Sequence, residues 1–298
     1  MKKIIYIFTA LVLIAGCDSK SFLEQIGLKE KITNVVQERN GITYLPNESD
    51  PFTGKYEMYF QNGQKKGVAS YKGGKEEGLT TEWFENGQMK SQGNIKEGKP
   101  DGLVTGWFEN GKMKSQETFK DGKPDGLVTG WFENGNIKTQ GNIKNGNPDG
   151  LVTSWFDSGQ KESELSLKDG KKDGLGILWF ENGQMKTQEN FKDGKPDGLA
   201  TNWFDSGQKD AELSFKDGKP DGLITHWFEN GKMKSQENFK DGKLDGVMKR
   251  FFENGQKRSE SSIKEGRLNG KTIMWYKNGD QEIKINYLDD VAIAIERY

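Results

Sequence analysis

The chain has one cysteine, one histidine and seven prolines in 298 residues. A single cysteine cannot close a disulfide, so no covalent staple holds the fold. His226 and Cys17 together give too few ligands for a Cys/His zinc centre. The one apolar run, before Cys17, is too short for a comfortable membrane span. Charge of one sign is also missing. The 44 basic and 45 acidic residues leave a net charge of −1, and the lysines are interleaved with acids, which gives nucleic acid no basic stripe to bind. With 32% hydrophobic and 30% charged residues, the composition points away from a large enzyme core.

What is abundant is glycine, 39 residues, and it is periodic. Tryptophan recurs at 83, 107, 131, 155, 179, 203 and 227 with an unvarying step, then at 275 after twice that step. Phe251 fills the gap and Tyr59 extends the ladder towards the N-terminus. Ten units therefore tile residues 54 to 293, and a period of this length means a repeat array without one central core. A typical unit reads Gly102-Leu-Val-Thr-Gly-Trp-Phe-Glu-Asn-Gly111, Lys112-Met-Lys-Ser-Gln-Glu-Thr-Phe119, Lys-Asp-Gly-Lys-Pro-Asp125. Asn-Gly between two β-prone runs predicts a two-residue type I′ turn. The Asp-Gly-Lys-Pro-Asp-Gly stretch predicts a longer connection, because its proline cannot donate to a ladder. Each unit is then a β-hairpin and the array one antiparallel meander.

A two-residue turn at Asn110-Gly111 pairs Phe108 with Met113, Trp107 with Lys114 and Val104 with Glu117. Alternation then places Val104, Phe108, Met113 and Phe119 on one apolar side, with Leu103, Thr105, Trp107 and Lys114 on the other. Two units support this register. Where Met becomes Lys161 and Lys209, Leu165 and Leu213 appear opposite Val152 and Ala200, as if replacing lost apolar area on the same face. An apolar Phe–Met side left wet favours a homodimer. The candidate binding face is the Trp ladder (Trp83, Trp107, Trp131, Trp155, Trp179, Trp203, Trp227, Trp275) with neighbouring Lys90, Lys114, Lys138, Lys186 and Lys234, where cation–π contact is expected.

Residues 1–16 read as a targeting segment: Lys2 and Lys3, an apolar stretch from Ile4 to Ala15, then Gly16 before Cys17. Ile14-Ala15-Gly16-Cys17 resembles the bacterial lipobox. That resemblance implies cleavage before Cys17, its lipidation, and a mature chain held to a membrane in the cell envelope, inner or outer. Losing Lys2 and Lys3 moves the net charge to −3. Residues 17–41 are read as an anchor and short helical spacer. Within them, residues 20–38 carry apolar positions (Phe22, Leu23, Ile26, Ile32, Val35, Val36) at amphipathic-helix spacing, stopped at Asn40-Gly41. Residues 42–298 are the array, 42–52 being the second strand of a degenerate leading unit. Ile283, Ile285, Tyr287 and residues 291–295 form a more apolar end that covers the last edge.

The Gly-x-x-x-x-Trp-Phe-Glu-Asn-Gly-Gln-x-Lys core followed by Lys-Asp-Gly-Lys-x-x-Gly resembles the variant form of the MORN repeat, over residues 54 to about 293. The resemblance implies an all-β fold, an elongated single-layer antiparallel sheet of successive hairpins. Bacterial proteins of this kind are often labelled toxin–antitoxin antitoxin components, and others inherit the name of phosphatidylinositol-phosphate kinases. The chain has no nucleotide loop, catalytic-loop Asp–Asn pair or Asp-Phe-Gly, so the kinase label does not carry over.

No reaction centre emerges. His226 occupies a repeat position otherwise filled by Gly106, Gly130, Ser154, Leu178 and Asn202, which reads as drift. The Asp121-Gly-Lys-Pro-Asp125 loop lacks the alternating acids and distal glutamate of a calcium loop. Neither metal nor cofactor is expected. The sequence points to a non-enzymatic, lipid-anchored envelope scaffold whose partner is a protein or an envelope polymer. The rival is an antitoxin or immunity-type partner of a specific toxin.

Overall fold

The computed structural model of the chain describes residues 5–6 and 31–298. Every regular element among them is a β-strand. The chain divides into two compact units, Met1–Asn147 and Pro148–Tyr298. In the first, hairpins span residues 54–72, 78–96, 102–120 and 126–144; in the second, six more run from residue 150 to 288, followed by Val291–Arg297. Within each unit successive strands pair antiparallel.

The register expected from the sequence holds over most of each hairpin. Gly102 pairs with Phe119, Val104 with Glu117 and Gly106 with Ser115. Then the register shifts by one, and Trp107 pairs with Met113. The cause is the turn. Gly111 N–H donates to the Phe108 carbonyl and Phe108 N–H to the Lys112 carbonyl, at 2.9 and 2.8 Å. Gly111 has φ +83°, whereas Asn110 is not left-handed. This is a three-residue loop, a type I turn closed by a left-handed glycine, in place of the expected type I′ Asn-Gly turn. The extra loop residue is absorbed by a bulge at Lys114, which returns the strand to its original register.

The type I′ turn lies at the other end of the hairpin. Asp121 and Gly122, with φ +51° and +82°, link two strands directly, and Lys120 faces Lys123 across them. The Lys-Pro-Asp segment, expected to be a connection, is strand, offset by a second register shift between Glu117 and Phe119. Pro100 and Pro124 sit at that irregularity, where a missing N–H costs little.

Both ends of the hairpins are tied to their neighbours. At the type I′ end, Gly122 N–H donates to the Pro100 carbonyl at 2.9 Å and Asp121 N–H to the Asp101 carboxylate at 3.3 Å. The second unit repeats the pair, with Gly218 on Pro196 and Asp217 on Asp197 at 3.1 Å. At the Asn-Gly end, the Asn110 amide reaches the Glu133 carbonyl of the next hairpin while its oxygen accepts from Lys112 N–H. Asparagine is selected there for a side chain that donates and accepts at once. Ser158 and Ser206 replace it in the two Asp-Ser-Gly units, where one short hydroxyl cannot span both bonds.

The leading segment is extended where it is described. Residues 20–30 and Cys17 lie outside the described residues, as does the targeting segment apart from a short strand at Ile5–Tyr6. The expected helix is replaced over 31–38 by strands Lys31–Thr33 and Gln37–Arg39. The β-branched Ile32, Thr33, Val35 and Val36 favour that outcome. Asn40 and Gly41, both left-handed, form a hairpin turn to Ile42–Tyr44 rather than a helix stop. Lys31–Thr33 adds parallel to Gly54–Tyr59. Phe52, 2% exposed, packs at 5.8 Å on Tyr71 and gives the first hairpin a local core with Leu45.

Candidate binding face

The bulge decides which side chains share a face, since a one-residue slip exchanges them. Trp107 and Met113 lie together. Met89 and Trp107, from successive hairpins, line one depression of about 390 Å³ with Asn86, Gln88 and Gly111. Lys114 lies on the opposite face, its ammonium 5.9 Å from the Phe108 ring. Lys138, Lys186 and Lys234 sit over Phe132, Phe180 and Phe228 at 5.6 to 5.9 Å. Lys90 is held at 3.0 Å by Glu82 in a depression lined by Trp83 and Phe84. The expected Trp–Lys and Phe–Met pairings are therefore exchanged, and the apolar Phe–Met side invoked for a homodimer does not exist.

On the Trp face three rows run across the strands. The first is leucine (Leu79, Leu103, Leu127), each close to half exposed, Leu103 at 49%. The second is a ladder in which Thr81 pairs with Gln92, Thr105 with Gln116 and Thr129 with Gln140. Gln92 and Gln140 donate to the threonine hydroxyls at 3.1 and 3.2 Å, and Thr129 is only 4% exposed. The third row alternates half-buried Trp with Met89, Met113 and Ile137, which are 36–39% exposed. Between the leucine and methionine rows, the face from Leu79 to Ile137 carries no charged side chain. The cation pairs Lys96–Lys99 and Lys120–Lys123 stay in the type I′ turns at its rim.

The second unit differs on the same face. Lys161, Lys209 and Lys257 stand at the Met position, each ion-paired with the glutamate three residues on, Glu164, Glu212 or Glu260. Their ammonium groups lie 5.4–5.9 Å from Trp179, Trp227 and Trp275, so cation–π contact with tryptophan occurs, through lysines other than those expected. Leu165 and Leu213 do face Val152 and Ala200. They lie on the face opposite Lys161 and Lys209, so they do not replace the lost methionine area. Leu165 instead fills the space above Gly176, where an added Cβ would meet it at 2.9 Å.

Few ionisable groups are perturbed. Burial pushes the Glu57 carboxyl up, but hydrogen bonds from Lys65 and Tyr59 outweigh it and hold the group below the usual carboxylate range. Burial raises Glu189, against the pull of Lys172. His226 pairs with Ser235 and Ala211 on the charged face. Among the described residues, no three His, Cys, Asp or Glu side chains converge to hold a metal ion.

Stacked two-stranded ribbons with one aromatic row per hairpin define a β-hairpin repeat protein. The family model of the MORN repeat variant matches residues 52–72, 76–97, 100–121, 124–145, 172–193, 220–241 and 244–265, just over half of the chain. The chain belongs to that family, whose repeats generally serve as binding or scaffold modules. The family model passes over the two Asp-Ser-Gly units. No curated protein matches the chain. Among solved structures, the crystal structure of TcdB2-TccC3 is similar at 10% identity and a TM-score of 0.20, over 79% of this chain and 17% of that one. The TcdB2-TccC3-Cdc42 crystal structure aligns at 10% identity and a TM-score of 0.19, over 91% of this chain and 15% of that one. The chain thus spans less than a fifth of the structures it matches.

Proposed function

We propose that the chain is a non-enzymatic binding scaffold of a bacterial cell envelope, anchored through lipidated Cys17, and that the Trp face makes the contact. The observation that carries the contact is the uncharged Trp–Met and leucine rows from Leu79 to Ile137, the leucines close to half exposed and the Met and Ile side chains 36–39% exposed, in a protein that is 30% charged. Hairpins that needed only to stack would gain by placing charge there, as the opposite face does. Anchoring rests on Ile14-Ala15-Gly16-Cys17 and the apolar run before it.

Two experiments test the reading. Metabolic labelling with a palmitate analogue should mark the full-length protein and not the Cys17→Ala variant; equal labelling, or none, removes the anchor. The immobilised chain should retain a component of envelope extracts that Trp107→Ala releases. Retention indifferent to every Trp-face substitution would move the contact elsewhere.

A further inference from the structure

The uncharged strip can be assigned a ligand class, resting on the reading of the Trp face as the contact surface. Three properties of the strip constrain that class. Its electrostatics come first. The leucine, Thr/Gln and Trp/Met positions between Leu79 and Ile137 hold no ionisable side chain. The other face of the same strands carries the Glu82–Lys90 ion pair, Lys114, Glu117 and Lys138. A charged partner would leave its charges opposite groups that cannot answer them, and its desolvation would go uncompensated. The matching partner is neutral.

Its chemistry comes second. Indole and thioether groups offer polarisable apolar area, and the neighbouring row offers glutamine carboxamides, which donate and accept hydrogen bonds, while Thr81 and Thr129 lie buried beneath Gln92 and Gln140. A ligand needs apolar C–H patches beside hydroxyl or amide groups to use both rows. A pyranose ring has that combination, with C–H groups on its faces and hydroxyls at its edge. Between Met89 and Trp107 an open depression of about 390 Å³, with Gln88 at its edge, lies along this row.

Its period comes third. Trp83, Trp107 and Trp131 stand on every second strand, so the step between equivalent rings is ~9.6 Å, twice the strand spacing. In an extended β-1,4-linked glycan, alternate sugars present the same face. That disaccharide step matches the step of the Trp row, so one strand of the polymer that follows the twist of the sheet can place equivalent sugars on successive tryptophans. A protein partner would need its own repeat at this interval, and a polyanion fails on charge.

We infer that the Trp face of the first unit is a subsite array for a neutral β-1,4-linked glycan strand, one disaccharide per hairpin, running across Trp83, Trp107 and Trp131. The second unit, where Lys161 and Glu164 interrupt the row, does not offer it.

The test is tryptophan fluorescence of the full-length chain titrated with chitobiose, chitotetraose and chitohexaose, and with cellohexaose in a parallel arm. The expected result is a saturable change whose affinity rises about tenfold with each added disaccharide and does not respond to about 0.5 M NaCl, a level that screens surface charges. Trp107→Ala should lower hexasaccharide affinity at least tenfold. Because that variant loses packing, the decisive one is Met113→Lys with Gln116→Glu. It imports the pair that the chain already carries as Lys161 and Glu164, so the fold accommodates it, and at least tenfold loss is again expected. The inference is overturned if no hexasaccharide gives a saturable change, if both variants bind like the parent, or if salt abolishes binding. A purified protein partner that is released by the double variant while the glycans are inert would overturn the glycan and leave the scaffold reading standing.

Discussion

The two units share a framework and differ on one face. In both, type I′ turns donate N–H groups to a carbonyl and a carboxylate of the preceding hairpin, as Asp121 does to Asp101 and Asp217 to Asp197. In both, phenylalanine underlies a lysine, as in Phe108–Lys114 and Phe180–Lys186. The Trp face separates them. From residue 79 to 137 the Met position holds Met89, Met113 and Ile137. From 161 to 257 it alternates Lys161, Met185, Lys209, Met233 and Lys257. The cation never enters alone, since Glu164, Glu212 or Glu260 comes with it. From 78 to 144 the face of the first unit thus repeats with every hairpin, its leading hairpin carrying the Glu57–Lys65 ion pair there, whereas that of the second unit repeats with every other one, and the difference lies where stacking is indifferent. Turn chemistry is held by the fold, while the face is open to function.

The largest effect should come from exchanging the faces. Lys161→Met with Glu164→Gln removes the charge from the Trp face of the Trp155 hairpin in the second unit, and a saturable indole N–H shift of Trp179 with chitohexaose, absent in the parent, should appear. No change there would break the link between face chemistry and binding. Unfolding free energy should stay within about 0.5 kcal/mol, because the pair removed is exposed.

The shared framework can be tested next. Gly122→Ala should cost about 2 kcal/mol, since φ +82° strains an L residue and the new Cβ meets the Lys99 stem at 3.2 Å. Gly146→Ala, equally left-handed but with open space around it, should cost about 1 kcal/mol. Local hydrogen exchange is the readout, because a repeat array opens piecemeal. Asp125→Ala and Asp197→Ala should each cost about 1 kcal/mol, seen as roughly fivefold faster exchange at Asn145 N–H and Asp217 N–H. Unequal losses would mean that the units do not share their stacking.

The smallest effect concerns pH. Glu57 titrates below its ordinary value of 4.5. Its contribution is therefore present above that value and lost as pH falls through the lower folded one. Glu57→Gln should flatten the acid limb of the stability curve by a few tenths of a kcal/mol, given its partial exposure. Glu189 has the opposite sign. Its penalty is absent below 4.5 and sets in as pH rises, so Glu189→Gln should gain a few tenths at neutral pH.

The hairpins, their pairing from Gly102 to Gly106 and the placement of Leu165 opposite Val152 were legible in the sequence, because the fixed Trp and Gly period and strand alternation suffice for them. The turn types were not. Asn110-Gly111 and Asp121-Gly122 both carry the type I′ signal, and of these two turns in the unit the second uses it; Asn110 is kept for the amide that reaches Glu133. That reversal hides a bulge at Lys114, and the bulge moves methionine to the Trp face and lysine to the Phe face. One signal was available. Lys161 and Lys209 appear together with Glu164 and Glu212, an ion pair that needs a shared face, which strict alternation from a two-residue turn forbids. The helix expected over 20–38 failed across 31–38 because its apolar spacing there comes from β-branched residues that also suit short strands.

The most direct measurement is the indole N–H region of a ¹H–¹⁵N spectrum of the full-length chain, which carries eight tryptophans, their signals assigned by single Trp→Phe variants. On adding chitohexaose, the signals of Trp83, Trp107 and Trp131 should move together and saturate, while those of Trp179 and Trp227, beneath Lys161 and Lys209, stay in place. Signals that all stay fixed, or that move alike in both units, would contradict the account.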